Sequence, residues 1–569
     1  MVNVKNLFGM AVMATALVGC SSNDNLAPDG KDNAGKPGEA YASFTINLPT
    51  TSGTRAGEPE FNGGEASEYA VNDATLLVFK KDGADYRFKE SVELGNMEPW
   101  TKKDPANGGI TTTAKLTAKI NNAEVGASKG YYALIVLNNN GNKITYPTTD
   151  QLYSVWSKDA GNATAANYLK YDNGFFMANA PKYVAGAPET LVEIKNIYAS
   201  KQEAENSTAT TVYVERGLAK VSLASTSAKH VDIEDGNYAG DKVDIEGWTL
   251  DVTNTKTYPV HVTEGEGLWA DTWKTTATTA ATNGATMDRF HDTKPTSEFP
   301  RVYWGLDPNY STDFASVADC KGEFTMAKKT DFKTGDEAKK AQYCLENTFD
   351  IAHMVQGQTT RVLFSAKYTP NGFRDGETFY KFGNSPKLWH AADVEAQIKA
   401  KAQEVLGEAD ADKVTVTLAA TGNDMTKSGV RLVEAANITY GTTALKPEQV
   451  DKINAKLGFK KATSTDAAVG LSTYESGVSY YVARVKHFNE LTPWTPGDKT
   501  YDNNNINWLG RYGVLRNNWY ELSVSSVSGP GYPDVPKVNP TDPDDENKQY
   551  INVEVKILDW AKRSQSIEL

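Results

Sequence analysis

Few residues in this chain have the types and spacing that chemistry requires. Its six histidines are His230, His261, His291, His353, His390 and His487, and none has a second ligand at zinc spacing. No H-E-x-x-H, G-x-S-x-G, Walker loop or G-x-G-x-x-G falls in a strand–helix context. His487, within Arg484-Val485-Lys486-His487-Phe488, reads as a strand histidine rather than a general base. The 72 Asp and Glu residues are too many to single out a glycosidase pair. Three features remain. One is the thiol of Cys20. The second is the peptide bond between Arg55 and Ala56, in the small, polar stretch Thr54-Arg55-Ala56-Gly57-Glu58, the sort of loop proteases cut. The third is the pair Cys320 and Cys344, a disulfide candidate outside the cytoplasm or else two separate buried thiols. No enzymatic activity, cofactor or metal is expected.

Cys20 ends a segment with the order of an export signal. Lys5 supplies a positive start, and Leu7 to Val18 is apolar but too short to span a bilayer. Leu17-Val18-Gly19-Cys20 resembles the lipobox of bacterial lipoproteins, which makes residues 1–19 a signal peptide and Cys20 the lipidated residue. The alternative is an ordinary signal peptide with a chance cysteine. Ser21 to Glu39 is rich in Ser, Asn, Asp, Gly and Pro and reads as a flexible tether. No later stretch is long and apolar enough to be a spanning helix.

The 569 residues are enough for two or more domains. A net charge of −13 without a basic block argues against nucleic acid as a partner, because phosphate neutralisation needs clustered Lys and Arg. Tyr, Trp, Thr and Val are abundant and suit half-buried pleated surfaces, so the fold class expected is all-β. Tyr41 to Leu48 alternates, with Ala42, Phe44, Ile46 and Leu48 on one face. Ala74 to Phe79 and Tyr131 to Leu137 are continuous apolar runs, as in strands buried on both faces. Val362 to Tyr368 and Thr378 to Phe382 flank Pro370-Asn371-Gly372 and predict a hairpin. Helical spacing predicts short helices near 394–405 and 450–457, closed by Gly407 and Gly458. Between Thr211 and Val221 two strand-like halves flank Gly217, which marks either a bend between two sheets or one interrupted strand.

The C-terminus pairs with the Arg55 loop in a single scheme. After the Pro/Asp-rich linker 539–548, Ile551, Val553, Val555 and Ile557 alternate with polar residues. The apolar face switches at Leu558 and Trp560, which predicts a bulge or turn-over. Such a strand either packs in its own domain or serves as a donor to another chain. Cutting after Arg55 would release residues 20–55 with the strand Ala42-to-Leu48 face and open an apolar slot. A donor of the same period from a second copy would refill it, and head-to-tail repetition gives an open filament.

Several blocks in order along the chain carry a resemblance. They are the segment ending at Cys20; Thr54-Arg55-Ala56-Gly57; Val214-Glu215-Arg216 to Val221; Trp304-Gly305-Leu306-Asp307-Pro308-Asn309-Tyr310; and Tyr343-Cys344-Leu345-Glu346-Asn347-Thr348. Tyr480 to Phe488, Thr492-Pro493-Trp494, Gly513 to Tyr520 and Val555 to Trp560 complete the set. Together they resemble the Mfa-type fimbrillins, the type V pilins. The resemblance implies two transthyretin-like β-sandwich domains with a few short inserted helices. It implies an N-terminal sandwich at 56–216, a C-terminal one with insertions at 217–538, and a linker with donor strand at 539–569. It also implies an arginine-specific protease, copies of the same chain, tip and anchor subunits, and a host or bacterial surface ligand as partners. The localisation implied is the outer membrane as lipidated precursor, then the surface fimbrium. The alternatives are a tip or accessory adhesin and a permanently lipid-anchored glycan-binding lipoprotein.

Overall fold

The computed structural model describes residues 39–48, 65–95, 97, 100, 112–121, 123–184, 187–263, 291, 299–310, 322–349, 353–407, 411–418, 430–463, 468–487, 509–538, 540, 542–544 and 551–559. Within these the protein is all-β with few helices, as its composition predicts. The strands that matter for function are β1 (Glu39–Asn47), β2 (Ala74–Asp82), β3 (Asp85–Glu93), β4 (Thr113–Asn121), β5 (Tyr131–Leu137), β6 (Met177–Asn179) and β7 (Thr210–Arg216). Then follow β8 (Leu218–Leu223), β9 (Lys242–Asp251), β10 (Gln342–Leu345), β11 (Arg361–Thr369), β12 (Phe379–Phe382), β13 (Leu471–Tyr474), β14 (Val478–Arg484), β15 (Asn518–Val527) and β16 (Ile551–Asp559).

The first seven form one sheet, in the order β3-β2-β5-β6-β7-β1-β4, and the two-residue strand Val192–Glu193 makes it eight-stranded. The apolar runs of β2 and β5 lie side by side in its interior, which is why neither shows a polar face over its core. The sheet curls, and Asn121 on β4 donates to Glu90 on β3 across its two ends, 2.9 Å apart.

Gly217 separates β7 from β8, and the two strands belong to different sheets. A side chain there has no room: a Cβ would lie 2.5 Å from a ring carbon of Tyr168. The bend reading of Gly217 therefore holds. Beyond it, β10-β8-β15-β16 make a four-stranded sheet, and β9-β11-β14 run through a five-stranded one. One core, with Val221, Trp248, Phe364, Tyr481, Tyr520 and Val553, draws on both.

Residues beyond β11 depart from expectation. β11 and β12 do not pair as a hairpin. Both edges of β11 are already occupied, by β9 and β14, so β12 starts a separate four-stranded sheet with β13. That sheet carries the two expected helices, α1 (Ala391–Leu406) and α2 (Pro447–Lys456), around a core of Val394, Ile398, Val450 and Ile453. Gly407 closes α1 at φ 77°, and Pro447 opens α2 in its first turn, where its missing N–H costs nothing.

Candidate functional site

β1 is an interior strand. Its nine residues pair antiparallel with β4, Glu39 to Asn121 through Asn47 to Thr113, and its last four pair parallel with β7, Phe44 to Thr210 through Asn47 to Tyr213. Among the described residues β1 is the sole strand partner of β4. Ala42, Phe44 and Ile46 are fully buried and Leu48 nearly so, all in one core with Leu76, Trp100, Ala118 and Val212. The opposite face is tied down as well. The Ser43 hydroxyl lies 2.7 Å from both Thr117 Oγ1 and the carbonyl of Ala204. Tyr41 and Tyr198 exchange two backbone hydrogen bonds of 2.8 Å. Burying the three large side chains contributes about 1.5–3 kcal/mol each, as an upper estimate.

β16 sits differently. It pairs antiparallel with β15 from Ile551 opposite Val527 to Asp559 opposite Asn518, at the end of its sheet. Val553 is buried in the core shared by the two sheets. In the monomer, then, this strand packs on its own chain. The bulge lies on β15, between Val524 and Ser526, while pairing runs unbroken through Ile557, Leu558 and Asp559. Leu558 is thus carried by a continuous ladder rather than a turn-over.

Cys20, Arg55, Ala56, Cys320 and Trp560 lie outside the described residues. Cys344 carries a free, buried thiol, which burial pushes up to about 12. Among the described residues no cluster of three or more His, Cys, Asp or Glu could hold a metal, and no helix is long and apolar enough to cross a membrane.

Sequence reading missed a buried ionic array around the β7–β8 bend. Glu215 on β7 accepts from Arg301 at 2.8 and 3.1 Å, and its other oxygen lies 2.6 Å from Nδ1 of His261. Arg301 also donates to the carbonyl of Arg516, whose own guanidinium pairs with Glu346. Burial alone would raise the Glu215 carboxyl, but His261 and Arg301 outweigh it and hold it below the usual range. Gly305 lets His261 approach, since a Cβ would lie 2.3 Å from its Nε2. On the other side of the bend, Lys220 on β8 reaches Glu68 at 2.7 Å, both buried, and lies 3.6 Å from the ring centre of Trp519. Arg216 donates to the carbonyl of Glu68 at 2.7 Å, and Tyr343 donates to its carboxylate at 2.5 Å. The legible signal was Glu215, Arg216 and Lys220 standing inside apolar strands, where a charge demands a buried partner. Four of the blocks quoted from the sequence converge here: 214–221, 304–310, 343–348 and 513–520. The array offers no nucleophile and no opening. What it does is fix the two sheets at the bend.

Residues 472–566 match the family described as major fimbrial subunit protein type IV, fimbrillin, C-terminal. That segment contains β14, β15 and β16. No curated protein matches the chain. Among solved structures, two candidate cell adhesion proteins from Parabacteroides distasonis align over 92% of this chain. They do so at 10% and 11% identity, covering 98% and 100% of their own chains, with TM-scores of 0.38 and 0.36. A fimbrial assembly protein of the same organism aligns over 61% of this chain and 84% of its own, at 12% identity and a TM-score of 0.24.

Proposed function

We propose that this chain, whose residues 472–566 match the C-terminal fimbrillin family, is a polymerising subunit of a cell-surface fimbria. In this reading it is exported as a precursor lipidated at Cys20, cut between Arg55 and Ala56 by an arginine-specific protease, and assembled by strand exchange. The sandwiches are 56–216 and 217–538, and 539–569 brings the donor. The observation that carries the reading is the position of β1: a strand N-terminal to the cut, held between β4 and β7, whose loss leaves an apolar slot with unpaired backbone on both sides. β16 of a second copy has the matching period, with Ile551, Val553, Val555 and Ile557. Adhesion, biofilm formation or colonisation is the service such a filament performs.

The test is N-terminal sequencing and gel mobility of surface-extracted protein, wild type against Arg55→Ala. A mature start at Ala56 in high-mass ladders, with only lipidated monomer in the variant, supports the scheme. A wild-type protein that keeps Cys20 and runs as a monomer overturns it in favour of an anchored lipoprotein.

A further inference from the structure

A cavity of about 280 Å³ lies at the seam between the inserted β12–β13 sheet and the body of the protein. That is near the lower end of ligand-sized pockets, which start at roughly 300 Å³. Its lining comes from separate parts of the chain. Arg431 is on the strand paired with β13, and Thr473, Glu475 and Ser476 form the end of β13 and the turn into β14. Lys329 comes from a short turn before β10, and Asp534 from the loop after β15.

The walls are tied together by hydrogen bonds. Tyr480 and Tyr532 exchange backbone hydrogen bonds of 2.9 and 2.8 Å, and the hydroxyl of Tyr474 donates to the carbonyl of Gly531 at 3.0 Å. Together these clamp the Asp534 loop against β14. Lys329 and Asp534 pair at 2.9 Å across the rim. The turn between β13 and β14 holds Ser476 at φ 53°, a conformation a non-glycine side chain rarely adopts. The backbone N–H of Ser476 donates to Thr378 Oγ1 at 2.9 Å, and Gly477 follows at φ 75°, where a Cβ would meet the Tyr368 carbonyl at 2.8 Å. A pocket fixed in this way loses little freedom on binding.

Its chemistry is balanced. Lys329 and Arg431 bring two positive charges, and Glu475 and Asp534 bring two negative ones. The four formal charges sum to zero, so charge count alone selects neither an anion nor a cation. A neutral ligand with several hydroxyls, each able to donate to a carboxylate and accept from a cation, can use both sets at once. Thr473 and Ser476 add hydroxyls to the same wall. From this geometry we propose that the cavity binds one neutral sugar ring of a surface glycan. The site does not depend on the strand-exchange reading, because it contains no part of β1 or β16.

The experiment uses the full chain bearing Arg55→Ala, which stays uncut whatever assembly does. Glucose, galactose, mannose and N-acetylglucosamine are titrated by ligand-observed NMR, with glucuronate as the charged control. Saturable binding of at least one neutral sugar is expected, weakened about tenfold or more by Glu475→Gln, the loss of one charged hydrogen bond. Thr473→Val should weaken it as well, and thermal unfolding should be unchanged in both variants. Three results would overturn the proposal: no saturable binding by any neutral sugar, preference for glucuronate, or affinity unmoved by both substitutions.

Discussion

Lys220 and Glu68 show what a charge inside an apolar strand is worth. The pair is buried, so removing one partner strands the other in a medium that cannot solvate it. Lys220→Met should therefore cost about 3–5 kcal/mol in urea unfolding, and adding Glu68→Gln should recover most of it. Burial alone would raise the Glu68 carboxyl, but Lys220 outweighs it and holds it below 4.5. The stability it contributes is in place above that pH and is lost as pH falls through its lower folded value. Asp307 has the opposite sign. Burial pushes it up to about 7, against hydrogen bonds from Asn309 and Asn254 that pull it down. Its contribution is present below about 3.8 and is lost as pH rises through 7. Relative to Asp307→Asn, the wild-type unfolding free energy measured in urea should decline between those values, by roughly 4 kcal/mol at most. The Cys344 thiol should resist iodoacetamide at pH 8 in the folded protein and react on unfolding, read by mass spectrometry.

At the scale of elements, β1 should be the most sensitive strand in the precursor. Phe44→Ala should destabilise it by about 3–5 kcal/mol, because that ring is fully buried. Gly217→Val should also lower the melting temperature, since Tyr168 already occupies the space. Much at this scale could be read directly. β1, β2, β5 and both helices declared themselves through period, length and terminal Gly or Pro. The β11–β12 hairpin was expected and does not form, because adjacency in sequence says nothing about whether a strand's edges are already taken. Glu215 stood out as a charge in an apolar strand, but its partners His261 and Arg301 could not be named for the same reason: they lie up to 86 residues away and meet it only once the sheets are folded. The polar cavity beside β13 shares that origin, drawing on segments from Lys329 to Asp534.

At the scale of the molecule, β1 and β16 occupy different sheets on opposite sides of the Gly217 bend, so under the proposed scheme one copy would offer acceptor and donor to different neighbours. A synthetic peptide of residues 39–48 added to cut protein should compete with the proposed donor and shorten the high-mass ladders that the scheme predicts. Val553→Asp should give cut monomers that cannot supply a donor, because a charge in the slot has no partner; it also places that charge in the chain's own core, so urea unfolding of the variant is the control that its acceptor side still folds. Mixing that variant with wild type should cap growth at one end.

The double embrace of β1 bears on timing. Hydrolysis of a single peptide bond breaks none of the hydrogen bonds that join β1 to β4 and β7, nor does it expose Phe44. Under the proposed scheme a chain cut after Arg55 would thus still be plugged, and nicking and unplugging would be distinct events with distinct rates. Growth of the fibre should lag behind appearance of the Ala56 end, and the lag should shorten with warming or with Phe44→Ala, both of which loosen the plug without touching the protease.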